Sequence, residues 1–123
     1  MRILYAPERD GDPDPGEIVW AWVPFEDDPT KGKDRPVVVI GVAGVRLAVV
    51  PLSSKDHAGR GDQDEWVRVG SGSWDSSDRD SYANVDRVLR VEIGEVRREG
   101  ATLDRARFDR VVAAVRASHP DLA

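Results

Sequence analysis

Arg35 stands immediately ahead of Pro36 in "KDRPVVVIG", and Ser53 and Ser54 follow in a second short block, "VVPLSSK". A guanidinium presents a rigid, planar fork of donors that matches phosphate geometry, and a hydroxyl adds a directional donor beside it. Brought together, the two groups would grip a phosphate and steady charge that builds on its oxygens. Pro36 has no N–H to give a ladder, which suits the first position of a strand, and it pushes Arg35 into an extended conformation. The expectation is an arginine fixed at a strand mouth. The same residues also admit a purely structural role, with Arg35 paired to Glu26, Asp27 or Asp28 and Ser53 capping a turn.

Whether arginine and serine meet depends on the hairpin between them. "PVVVIGV" and "VRLAVVPL" are β-branched runs around Ala43-Gly44 and read as two antiparallel strands. A three-residue loop of Val42, Ala43 and Gly44, with Gly44 left-handed, pairs Gly41 with Val45. Arg35 then lies opposite Pro51 and has Ser53 as a diagonal neighbour, roughly 7–8 Å away. A two-residue loop shifts the parity and brings Ser54 there instead. Both registers stay open.

Around this pair the sequence supplies further groups. His57, four residues past Ser53, is a titratable candidate for acid–base work or a solvated loop histidine. Lys31, Lys33, Lys55 and Arg60 fall in segments read as loops flanking the strand mouth, and could form a basic patch for a polyanion. Glu26, Asp27, Asp28 and Asp34 share the first of those loops and oppose it. A local patch would be needed, because the net charge of −5 gives the whole molecule no attraction for nucleic acid. Asp10, Asp12 and Asp14 have the alternate spacing of a calcium loop, but Pro15 and Ala21 stand where that loop requires glycine and glutamate. Trp20 and Trp22 read as core or interface, whereas Trp66 and Trp74, near loops, could be buried or offer stacking surfaces.

The chain has 123 residues, enough for one domain with a core of its own. It contains no cysteine, so disulfides and thiolate metal sites are unavailable and a reducing cytoplasm fits. No stretch is apolar and long enough for a signal peptide or a membrane span, so a soluble cytoplasmic protein with no membrane contact is expected.

The elements that must position these groups follow from periodicity. "EIVWAWVPF" alternates, with Ile18, Trp20 and Trp22 on one face and Val19, Ala21 and Val23 on the other, as a strand apolar on both sides. "DEWVRV" and "ANVDRVLRVEI" read as two more strands, and Gly70 with Gly72 as a turn. Phe108, Val111, Val112 and Val115 repeat at helical spacing, with Asp104 as N-cap and Leu103 with Phe108 at staple positions. The expected architecture is mainly β: about five strands in a small curled sheet or barrel, with a C-terminal α-helix laid against it. Residues 1–15 are expected as a flexible lead-in, 16–118 as one domain and 119–123 as a tail.

Three blocks in order, "PGEIVWAWVPF", "KDRPVVVIG" and "VVPLSSK", together with "YANVDRVLRV" and "LDRARFDRVVAAV", resemble the MazF/PemK family of toxin–antitoxin ribonucleases, in particular its actinobacterial members. The resemblance implies an SH3-like barrel that works as a homodimer. It also implies metal-independent, cofactor-free endoribonuclease cleavage of single-stranded RNA such as mRNA at short sequence motifs, and a cognate antitoxin protein that holds the toxin inactive. By position it makes Arg35 the family's catalytic arginine and Ser53 the hydroxyl that is usually threonine. The first loop, "DPTKGKDRP", departs from the family's usual glycine–serine–glutamate pattern. Two other readings compete: a non-catalytic SH3-like binding module descended from such a toxin, and a same-fold toxin acting on a protein target such as DNA gyrase.

Overall fold

Alternation with a period of two dominates the chain and produces strands wherever it persists. The computed structural model describes residues 2–3, 13–25, 27–53, 66–74 and 79–119. In chain order the elements are β1 (Arg2–Ile3), β2 (Glu17–Pro24), β3 (Gly32–Ala43), β4 (Arg46–Ser53), β5 (Trp66–Gly70), β6 (Ser81–Asn84), β7 (Leu89–Glu92), β8 (Arg97–Thr102) and α1 (Arg105–Ser118), with a 3₁₀ turn at Ile93–Glu95. The chain is mainly β with a C-terminal helix, as expected, but eight strands are present among the described residues. The segment expected as one strand over "ANVDRVLRVEI" is broken at Val85 and Asp86, where the Arg87 N–H donates to the Asn84 carbonyl. The break lets β6 and β7 pair with different stretches of β4. β8, "RREGAT", has no apolar alternation to betray it and lies at the free edge of β2.

The sheet runs β5-β6-β4-β3-β2-β8, every pair antiparallel. One edge of β3 is shared by β1 and β2, and one edge of β4 by β7 and β6, so the sheet forks twice and curls. Its two faces hold separate cores. Ile18, Val38, Ile40, Val50 and Leu52 meet Phe108, Val111, Val112 and Val115 of α1. Val19, Ala21, Val23, Val37, Leu47 and Val49 fill the opposite face. The strand apolar on both sides is thus real, except at its end: Trp20 is half-buried and Trp22 is 59% exposed, so neither belongs to the core of this chain.

The β3–β4 hairpin departs from the expected three-residue loop. Ala43 pairs with Arg46, leaving Gly44 and Val45 as a two-residue turn with Gly44 at φ 63°, the left-handed value such turns require. A bulge at Ile40 follows, since Gly41 pairs with Ala48 but Val39 with Val49. The shorter turn reverses the parity and the bulge restores it.

Helix α1 starts as expected. The Asp104 carboxylate accepts from the Arg107 N–H at 3.2 Å, and Leu103 and Phe108 are buried in one cluster. Arg107 also ties the helix to the sheet, donating to the Val69 and Ser71 carbonyls at 2.8 and 3.0 Å. Asp104→Ala is expected to cost about 1 kcal/mol of stability through the lost cap, measurable as a lower urea midpoint.

Candidate active site

Strand β3 starts at Gly32, so Pro36 lies inside the strand rather than at its first position. The strand tolerates it because β2 continues to pair well beyond, through Ala21↔Arg35 to Pro24↔Gly32, while the ladder to β4 stops at Val37↔Pro51. Arg35 therefore sits on an ordered strand at the point where its neighbour on the other side is let go. Continuing the β4 register by two residues sets Arg35 directly opposite Ser53, not opposite Pro51 as the three-residue loop would have it. Ser53 in turn pairs with Tyr82 of β6, and Tyr82 with Arg68 of β5. Two paired runs, Ala21–Arg35 and Ser53–Tyr82–Arg68, thus face each other across the point where the β3–β4 ladder ends. They lie on the face of Val19 and Val37, where that core opens toward solvent. Arg68 is held by Asp80 at 2.8 Å, and this hydrogen bond with its charge keeps the guanidinium pKa above the usual range.

Two cavities meet at Arg35 and Ser53. The larger, about 290 Å³, is also lined by Phe25, Trp66, Asn84 and Arg87. The smaller, about 90 Å³, is also lined by Trp20, Lys33 and Arg79. Leu52, Arg35 and Ser53 line both. Cations and aromatic rings interleave along this surface, as single-stranded polyanions require. Arg87 is anchored on the Pro24 carbonyl, which ties the turn after β6 to the end of β2.

Of the carboxylates expected to pair with Arg35, neither Asp27 nor Asp28 forms an ion pair with it among the described residues, and Asp34 of the same stretch is engaged elsewhere. Asp34 pairs with Arg97, and Asp28 accepts from the Thr30 hydroxyl at 2.6 Å. Asp27 lines the larger cavity with Arg35 but forms no ion pair with it among the described residues. Lys33 is on β3 rather than in a loop, and alternation gives it the same face as Arg35. Lys31 is exposed at the loop end, outside both cavity linings. Glu26, Ser54, Lys55, His57 and Arg60 lie outside the described residues. Arg79 and Arg87, which sequence reasoning passed over, reach the cavities from the chain flanking β6; the signal was their position beside "SYAN", once that segment is known to pair with Ser53. The tryptophans divide by burial. Trp74 is buried and its indole N–H donates to the Ser81 hydroxyl at 2.9 Å, whereas half-buried Trp66 turns to the larger cavity.

Comparison with known proteins agrees with this fold. The model of the PemK-like, MazF-like toxins of type II toxin–antitoxin systems matches residues 14–119. Among curated proteins no sequence matches. Solved structures with the same fold include a mycobacterial endoribonuclease in complex with its cognate antitoxin, with a TM-score of 0.65 and 13% identity over 90% of this chain and 98% of that one. MazF from the MazE–MazF crystal structure of Deinococcus radiodurans aligns with a TM-score of 0.64 and 13% identity over 92% of this chain and 100% of that one. Mycobacterium tuberculosis toxin MazF-mt6 gives 0.60 and 14% over 85% and 96%. At such identities the structures speak for the fold, while the family model, spanning most of the sequence, speaks for descent: this chain belongs to the PemK-like, MazF-like toxin family of type II toxin–antitoxin systems.

Proposed function

We propose that the protein is an endoribonuclease toxin that cleaves single-stranded RNA at short sequence motifs without a metal. The observation that carries this is that Arg35 and Ser53, on adjacent strands, together line both cavities. A strand of RNA running from one cavity to the other would set a phosphate between them, with nucleotides on either side. The RNA's own 2′-hydroxyl attacks the adjacent phosphorus, its oxygen bonding to phosphorus as the bond to the 5′-oxygen breaks. The 2′-hydroxyl proton is lost and the leaving 5′-oxygen gains one, giving a cyclic phosphate and a 5′-hydroxyl. Arg35 stays protonated at any working pH, so it is no base. Its task is to hold the phosphoryl oxygens as charge grows on them. The Ser53 hydroxyl donates to a phosphoryl oxygen and fixes the in-line geometry.

Incubation with a long RNA in EDTA tests the proposal. Discrete fragments with 5′-hydroxyl ends support it, and intact RNA removes it in favour of a binding module or a toxin with a protein target. Ser53→Ala is expected to slow cleavage less than loss of Arg35, and Ser53→Thr to keep it, since the hydroxyl is restored. Ser54→Ala is the control and should leave the rate near wild type; initial rates on one RNA decide the order. Lys31, Lys33, Lys55 and Arg60 are assigned to guiding the RNA backbone, with His57 as a further candidate for proton transfer. The proposed partners are a cognate antitoxin and a second copy of the chain. Exposed Trp22 and Phe25 on one strand end supply apolar surface that a lone domain leaves uncovered.

A further inference from the structure

Asn84 is 9% exposed, lines the larger cavity, and has a buried Oδ1 with no hydrogen-bond partner among the described residues. A buried amide oxygen left unpaired is costly, and native folds rarely keep one without a use. Its surroundings suggest the use. Asn84 pairs across the ladder with Trp66, so an amide and an indole stand side by side on one face, both lining the cavity. Because Ser53 pairs with Tyr82, Asn84 is also the diagonal neighbour of Ser53, roughly 7–8 Å away. An aromatic plane and an unpaired acceptor thus sit one step from the groups that hold the phosphate.

We propose that Asn84 is a specificity-determining residue: a base of the bound RNA stacks on Trp66 and donates an exocyclic amino N–H to Asn84 Oδ1. This inference rests on the ribonuclease reading above. Proteins recognise unpaired RNA bases by this combination, in which stacking is indifferent to sequence and the hydrogen bond to the base edge supplies the choice. Adenine, cytosine and guanine carry such an amino group, and uracil does not. The amide is held for the purpose by its strand, and Arg87 fixes the following turn by its bond to Pro24.

The test is sequencing of the 5′ ends produced from one long RNA by the wild type, Asn84→Leu and Asn84→Ala. Leucine matches asparagine in shape and removes both polar atoms, so its thermal midpoint should equal or exceed that of the wild type. The wild type is expected to demand an amino-bearing base at one position beside the cut. Both variants are expected to keep cutting while a roughly ten- to hundredfold preference at that position, and no other, disappears. The same preference in folded variants overturns the inference and leaves the ribonuclease reading intact. A wild-type preference for uracil at the altered position overturns it too, as does complete loss of cleavage in both folded variants, since a base reader is dispensable to the chemistry. Wild-type protein that cuts no RNA overturns the ribonuclease reading and this inference with it.

Discussion

Arg35→Ala is expected to slow RNA cleavage on the order of a hundred- to a thousandfold while leaving the thermal midpoint close to that of the wild type. Both halves of this expectation come from the placement of the residue. Arg35 is half-buried at the edge of an apolar face, and neither Asp27 nor Asp28 forms an ion pair with it, so its removal strands no buried carboxylate there. The backbone at Arg35 is held by the ladder to Ala21, which an alanine keeps. On the proposed mechanism, what is lost is a preorganised donor aimed at the place where charge develops. Arg35→Lys should recover only part of the rate, because an ammonium is a point charge and cannot present two parallel N–H groups to one phosphate. Initial rates, measured beside a melting curve for each variant, separate the two effects. A full-rate Arg35→Ala enzyme would remove this residue from the chemistry.

Gly72→Ala is expected to destabilise the fold by on the order of 3 kcal/mol. A methyl at residue 72 would lie 2.0 Å from Cζ3 of Trp74, well inside contact distance, and 2.4 Å from its Cη2. The ring has little room to retreat. Trp74 is buried among the residues beneath α1, and its N–H is satisfied only where it now stands, by Ser81 at 2.9 Å. Either the indole leaves the core and loses that bond, or the segment from β5 to β6 shifts. Gly94→Ala is the matched control, since an added methyl there meets nothing within 4 Å. Urea unfolding of the two variants should give a large drop for the first and little change for the second.

Much of this was written openly in the sequence, and the exceptions have physical causes. The helix, its Asp104 cap and its Leu103–Phe108 staple were legible because they depend on neighbours in the chain. So was the two-faced apolar strand β2, though not that Trp22 would end exposed, because burial at a strand's end depends on how far its neighbours reach. β8 carries no pattern of its own and exists because β2 needs an edge partner. Arg35 and Ser53 were legible as chemical types. Their opposition was not derivable, because it depends on a bulge at Ile40 that no residue type announces. Asn84 was invisible for a similar reason: only the pairing of β6 with both β4 and β5 brings it beside Ser53 and Trp66.

The bulge at Ile40 has a bearing on how such toxins can vary in length. With Ala43 facing Arg46 and Val37 facing Pro51, the hairpin carries two departures from a plain ladder that cancel. Losing one residue from β3 between Arg35 and the turn, with the bulge and the two-residue turn both kept, would move every side chain before it to the opposite face of the sheet. Val37 would exchange faces with Val38, a tolerable swap between two apolar cores, but Asp34 would take the place of Arg35 opposite Ser53. A phosphate would then meet a carboxylate. Insertions and deletions in this hairpin should therefore survive in natural sequences only in compensating pairs, so that a relative with a longer turn is also one without the bulge.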